Sequence, residues 1–249
     1  KLNSRDDQMI YYLFNKGVRK ACRGLGGLGA SILLFARIFE SGTVGHNDKL
    51  LTLKKPVHVH GYFQSFEYFR TISDTFPKLQ ARHCLATSWS RTIADEMRQT
   101  SGRNIGVHVR RGDYQNESLT LGLLDDGYYS RALNLLNVNS EDVVWIFSDT
   151  PEVAERLFLN TQIDSTVNFA TPPKESGPVE SLFLLSQMTS LVIANSSFSW
   201  WAATLGSDKS LVVAPRPWFR SLGEPLKVRD PKWVAIESTW VVESAKSNI

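Results

Sequence analysis

Five strand signals recur along the chain from residue 105 on, at residues 105–109, 143–147, 166–169, 191–194 and 211–214, with helix-forming stretches between them. Short apolar runs alternating with longer amphipathic segments predict strands of a parallel sheet wrapped by helices. Tyr128, Tyr129, Ala132, Leu133, Leu135 and Leu136 are assigned to one of those helices. Thr150 followed by Pro151 reads as the cap and first position of another. In an open sheet of this kind ligands bind beyond the carboxyl ends of the strands. Those ends carry Arg110, Asp149 and Ser196, so three separate segments converge on one place.

The first of these ends is the most informative. Along Gly106-Val107-His108-Val109-Arg110-Arg111-Gly112-Asp113-Tyr114 the two-residue period of a strand puts His108 and Arg110 on one face, and Val107, Val109 and Arg111 on the other. Two guanidiniums beside a glycine that lets a ligand approach closely suit a bidentate anion such as a pyrophosphate. The plainer alternative is an arginine pair solvated or bridged to carboxylates. A second anion-binding signal lies in Ser196-Ser197-Phe198-Ser199, which links a strand to a helix that Gly206 can end. Hydroxyls and free backbone N–H groups at a helix amino end attract anions, whereas plain N-capping needs one serine rather than three. Trp200 and Trp201, just behind, are read as packing residues.

Taken in order, these motifs resemble the α1,2-fucosyltransferases that use GDP-fucose. The resemblance rests on Gly61-Tyr62-Phe63-Gln64-Ser65, His108-Val109-Arg110-Arg111-Gly112-Asp113-Tyr114, Phe147-Ser148-Asp149 and Asn195-Ser196-Ser197-Phe198-Ser199-Trp200-Trp201, and covers roughly residues 57–219. It implies an α/β, GT-B-like fold. A Rossmann-type domain over residues 101–249 would bind the GDP-sugar, and residues 1–100 would be a partial acceptor-side domain. The family's opening glycine loop is not recognisable, so the chain is expected to start inside that first domain.

The implied activity is inverting transfer of L-fucose from GDP-fucose to the 2-hydroxyl of a terminal galactose. The residues assigned to the donor are Arg110, Arg111, Asp149, Glu180, Ser196, Ser197, Phe198 and Ser199. Glu180 enters because the family often has an aspartate near Ser181. Arg110, Asp113 and His108 are assigned to catalysis, with Asp113 the first choice of base and Glu117, His58 and His60 behind it. Tyr62, Gln64 and His60 are assigned to the acceptor. The alternatives are a transferase using another nucleotide sugar and a truncated, non-catalytic glycan-binding domain. The sequence holds no Asp-x-Asp motif to clamp a divalent metal, and His58 with His60 lacks a third ligand, so no metal or other cofactor is expected.

Composition narrows the rest. A net charge of +3 without a basic run gives no argument for nucleic acid, and an anionic small ligand suffices. Cys22 and Cys84 favour a reducing compartment and leave one bridge open. The apolar run at 28–39, broken by Arg37, is too short to span a bilayer. The expected location is the bacterial cytoplasm, with peripheral membrane association open, or the Golgi lumen if an anchor was removed from a longer chain. Gly24 to Gly29 spell a dinucleotide fingerprint, but a charged stretch precedes them where a buried strand is required. Arg111-Gly112-Asp113 spells an adhesion tripeptide, discounted at a buried strand end.

Overall fold

A computed structural model describes residues 38–40, 44–53, 58–60, 63–75, 80–159, 161, 163–206 and 209–241. The helix expected within residues 1–23 and the glycine run at 24–29 lie outside them. The described chain forms two compact units, one built from residues up to Thr71 with Pro225–Val228, the other from Ile72–Glu224 and the residues from Arg229 on.

The smaller unit holds β1 (Ile38–Glu40) and β2 (His58–His60), which pair in parallel, and the helices α1 (Asp48–Leu51) and α2 (Phe66–Ile72). Ser65, expected to cap a helix, accepts from the Glu67 N–H at 3.2 Å and donates to the Lys227 carbonyl, so the Pro225–Val228 segment is stitched into this unit.

The larger unit is a six-stranded sheet in the order β5-β4-β3-β6-β7-β8, with every neighbouring pair parallel. Its strands are β3 (Asn104–Val109), β4 (Val143–Ser148), β5 (Thr166–Phe169), β6 (Ser190–Val192), β7 (Leu211–Arg216) and β8 (Val234–Glu237). Helices α5 (Asp126–Leu135), α6 (Pro151–Phe158), α7 (Pro178–Ser186) and α8 (Ser197–Leu205) make four of the five crossovers, the β7-to-β8 connection having no helix, and they are preceded by α3 (Ala81–Cys84) and α4 (Ser88–Gln99). The chain winds outward from β3 through β4 to β5, then returns to β6 and winds the other way. The switch between β3 and β6 is where such sheets open a crevice at their carboxyl ends. The fold class is the α/β, parallel-sheet class expected.

The strand parity also holds. Val107 and Val109 are fully buried in a core with Tyr128, Ala132, Val144 and Ala154, the side of α5 and α6. On the opposite face a Cβ at Gly106 would lie 2.7 Å from Leu191 and Met188 and 2.8 Å from Leu185, so only glycine admits that close packing. Two buried tyrosines on α5 then pin strand ends. Tyr128 donates to the Ile193 carbonyl at 2.7 Å and Tyr129 to the His108 carbonyl at 3.3 Å.

A domain boundary expected near residue 100 falls within the larger unit, because α4 is fastened to α7. Glu180 is 3% exposed, and its Oε1 accepts from the N–H groups of Ala86 (3.0 Å) and Thr87 (2.7 Å), and from the hydroxyls of Thr87 (2.9 Å) and Ser90 (2.6 Å). These donors lie at and just before the α4 amino end, where Thr87 is the N-cap, and they are gathered by a carboxylate from another helix. Burial alone would raise the Glu180 pKa, but the bonds from Ser90, Thr87 and Ser176 outweigh it and hold the group at about 2.

Since an unfolded glutamate titrates near about 4.3, this stabilisation is complete above about pH 5 and is lost as pH falls toward 2. Glu180→Gln is expected to lower unfolding free energy at pH 7 by about 1.5–3 kcal/mol and to flatten the acid limb between about pH 5 and 2. Urea titrations of both proteins across that range check it.

Candidate functional site

Beyond the carboxyl ends of β3, β4 and β5 lies a cavity of about 300 Å³. His108 and Arg110 come to it from β3, Phe147, Ser148 and Asp149 from β4, and Ala170 and Pro172 from the end of β5. The amino end of α7 adds Ser176, Gly177, Pro178 and Ser181, and the first turn of α8 adds Phe198. Its walls are mainly apolar, with a few polar groups converging at one side, the usual make-up of a small-molecule site. A larger cavity of about 680 Å³, bounded by α5, α6 and the loops after them, is lined by none of these strand-end residues.

Arg110 is the charged centre of the smaller cavity. Its Nη1 lies 2.8 Å from Asp149 Oδ2 and its Nη2 2.5 Å from Asp113 Oδ1, while the guanidinium carbon stands 5.3 Å from the centre of the Tyr114 ring. Its Nε is buried without a hydrogen-bond partner. Asp149 is held from behind by the Arg111 N–H, which donates to Oδ1 at 2.9 Å. Gly112 makes room for it, since a Cβ there would sit 2.4 Å from Asp149 Oδ2.

His108, 3% exposed, stacks on Phe198 with ring centroids 5.2 Å apart and planes 29° from parallel. Burial, followed by the charge of Arg110, pushes its pKa down to about 3. The imidazole is thus neutral and weakly basic at physiological pH, better suited to lining the cavity than to the catalytic proton transfer assigned to it. Its Nδ1 is buried and has no hydrogen-bond partner within the protein, a second such polar atom at this wall.

Several residues assigned to the donor are placed elsewhere. Arg111 is 3% exposed and turns inward, donating from Nη2 to the Leu124 carbonyl at 2.7 Å and from Nη1 to the Arg110 carbonyl at 3.5 Å. That is the face opposite Arg110, as strand parity requires. Glu180 is committed to the α4 amino end, not to a nucleotide. Ser199 is fully buried and donates to the carbonyls of Ala194 (3.3 Å) and Ser196 (3.4 Å). Ser196 caps its own helix through the Phe198 N–H at 3.3 Å, and Ser197 is exposed without lining the cavity. Of the four residues taken from this turn, only Phe198 lines it. Thr150 occupies the N-cap position of α6, but its hydroxyl accepts from the Gly112 N–H at 3.3 Å instead of capping.

Among the acceptor residues, Gln64 is half-buried in the smaller unit with its Nε2 unpartnered. Tyr62 and the side chains of His58 and His60 lie outside the described residues, as does Cys22, while Cys84 is a buried free thiol. Glu117, second choice of base, is exposed at the end of the 3-10 turn Gly112–Glu117. Among the described residues no three His, Cys, Asp or Glu side chains gather as a metal site, and no helix is long and apolar enough to cross a membrane.

Asn195 was not singled out as a site residue. It is 2% exposed, and its Nδ2 donates to the carbonyls of Leu121 (2.8 Å) and Gly122 (3.2 Å), while the Tyr114 hydroxyl donates to the Asn195 carbonyl at 3.0 Å. It ties the loop after the double arginine to the β6–α8 junction. An asparagine between a buried strand and a capping serine was the available signal.

The sequence profile of glycosyl transferase family 11 matches residues 42–237, most of the chain. The protein belongs to that family. Among its relatives, an α-1,2-colitosyltransferase of Escherichia coli is 30% identical over 75% of this chain and 64% of its own length. An O-antigen biosynthesis glycosyltransferase, WbnK, of the same species is 36% identical over 45% of this chain and 38% of its own. A galactoside 2-α-L-fucosyltransferase, SEC1, of Bos taurus is 30% identical over 53% and 38%. The matched stretch thus spans between about two-fifths and two-thirds of these relatives.

Gly112→Ala is expected to drive the Asp149 carboxylate off Arg110 and to destabilise the protein by about 1–3 kcal/mol, the usual range for overpacking. Gly177→Ala, whose added Cβ would meet nothing within 4 Å although Gly177 also lines the cavity, is expected to leave the melting temperature unchanged. Thermal melts of the two variants check the contrast.

Proposed function

We propose that the protein transfers L-fucose from GDP-fucose to the 2-hydroxyl of a terminal galactose in a glycan, inverting the anomeric centre. The observation that carries this reading is Arg110, a guanidinium at the end of the central strand that lines the cavity and has its Nε buried and unpartnered. The amino ends of α7 and α8 at the same cavity add partial positive charge, which favours an anionic ligand. The nucleotide lies against the apolar wall of Phe147, Ala170, Pro172 and Pro178, with its diphosphate toward Arg110. As the bond from sugar C1 to the phosphate oxygen breaks, negative charge builds on the β-phosphate, and Arg110 stabilises it more in the transition state than in the bound donor. Asp113 takes the proton of the acceptor hydroxyl. Arg110 and the helix ends supply the charge that a divalent metal would otherwise provide, so the reaction is proposed to need none.

The relative named as a colitosyltransferase, which matches more of this chain than the two others named above, favours a second reading in which the moving sugar lacks the 3-hydroxyl of fucose. The donor phosphate chemistry is the same in both. The two Escherichia coli relatives support a bacterial setting.

Thermal shifts with GDP-, UDP- and CDP-sugars test the nucleotide. Donor consumption with and without a galactoside, in the presence and absence of EDTA, tests transfer and its proposed metal independence. Stabilisation by UDP-sugars alone, or turnover abolished by EDTA and restored by Mn²⁺, would overturn the corresponding part. Arg110→Ala is expected to lower kcat by about 10² to 10³, the range for losing one preorganised donor to a developing oxyanion. Arg110→Lys recovers only part, because a point charge replaces a planar fork. Steady-state kinetics on the folded variants check both.

A further inference from the structure

The two carboxylates on Arg110 are not equivalent. Asp149 is fixed, because its Oδ1 accepts from the Arg111 N–H at 2.9 Å while its Oδ2 takes Arg110 Nη1 at 2.8 Å beside Gly112. Asp113 stands on the exposed 3-10 turn with its side chain 72% exposed, and among the described residues Arg110 Nη2 is its one hydrogen-bond partner. The edge of the guanidinium matters here. Nε and Nη2 lie side by side and form the pair of parallel N–H donors that a phosphate or carboxylate can bridge. Asp113 covers only the Nη2 half of that edge at 2.5 Å, and the Nε half is buried and unpartnered.

We propose that Asp113 is an exchangeable stand-in for the donor phosphate on the Nε–Nη2 edge of Arg110, displaced when a phosphate group bridges that edge. The inference rests on the donor reading given above and assigns Asp113 a task before chemistry begins. Asp149 keeps its hold on Nη1 throughout, so the guanidinium stays in place while its other partner changes. The freed Asp113 carboxylate then accepts the proton of the acceptor hydroxyl. The acceptor oxygen forms its bond to sugar C1, and the electron pair of the breaking C1–O bond leaves with the phosphate that now occupies Arg110. Donor binding therefore precedes activation of the acceptor, since the base is tied to Arg110 until the phosphate arrives.

The test is calorimetric titration of inorganic pyrophosphate, GDP and UDP into the wild-type protein, Asp113→Asn and Asp149→Asn, with kcat measured on the same preparations. An exposed position tolerates the first substitution. Exposed ion pairs of this kind contribute little, so their removal should tighten pyrophosphate and GDP binding to Asp113→Asn by only about two- to five-fold, whereas kcat falls by about 10² to 10⁴ for loss of a proton acceptor. Asp149→Asn should weaken binding, because Arg110 loses its anchor. Equal or weaker binding of pyrophosphate by Asp113→Asn overturns the exchange, even where GDP binds the wild type well. If pyrophosphate tightens but GDP binds no better than UDP, the exchange stands and the GDP reading falls. If no anion binds any of the proteins, both fall.

Discussion

The carboxylate of Asp149 is the contact on which the site depends. One oxygen holds the backbone N–H of Arg111 and the other holds Arg110 Nη1, so a residue at the end of β4 fixes both the path of the chain leaving β3 and the aim of its guanidinium. The contact exists only because Gly112 has no Cβ and because Thr150, next in sequence, gives its hydroxyl to the Gly112 N–H. A helix cap is forgone in that exchange. Capping bonds are typically worth about 1 kcal/mol, and Thr150 accepts from the Gly112 N–H of the loop after β3 in place of one.

Around this contact, groups that look available for ligands are used to satisfy the backbone. A strand that stops at a crevice leaves carbonyls without ladder partners, and a buried carbonyl without a donor destabilises the fold. Arg111 supplies the Leu124 carbonyl, Tyr128 that of Ile193, Tyr129 that of His108, and Ser199 that of Ala194. Asn195 does the same for Leu121 and Gly122. These bonds tie the strand ends to the loops beyond them. They leave Arg110 and His108 as the wall residues with buried nitrogens that the protein does not satisfy.

Much of this was legible in the sequence, for physical reasons that also mark where reading stopped. Strands β4, β6 and β7 were recoverable because burial on both faces demands nearly uninterrupted apolar residues. β8, with alternate residues exposed at the sheet edge, has no such run and was missed. The separation of Arg110 from Arg111 followed from strand parity, since the period of two cannot put neighbours on one face. Ser196 to Ser199 showed the limit of that logic. In a helix, successive residues turn by about a quarter to a third of a circle, so one serine caps, one is exposed, one is buried and Phe198 alone lines the cavity. Glu180 was misread because its partners lie some ninety residues back, at Ala86 to Ser90. A lone glutamate at a helix start carries no sign of a distant helix end. The compact units part at Thr71 and Ile72 rather than near residue 100, and α4 lies in the unit of the sheet.

The charge arrangement bears on how binding and turnover are divided. Arg110 carries one positive charge shared between two carboxylates, and the imidazole beside it is neutral because burial and Arg110 together depress its pKa to about 3. With one guanidinium facing two carboxylates, the resting wall presents no net positive charge of its own to an arriving diphosphate. A site with two free guanidiniums and a protonated histidine would hold the ground-state donor, and the nucleoside diphosphate product, far more tightly. Tight uniform binding of that kind lowers KM without raising kcat. With its charge compensated at rest, Arg110 gives weak ground-state attraction, and on the proposed reading it responds strongly once Asp113 is displaced and charge accumulates on the leaving phosphate. On the proposed reading, Asp113 serves turnover by limiting how firmly the donor and product are held, while Asp149 keeps Arg110 in place.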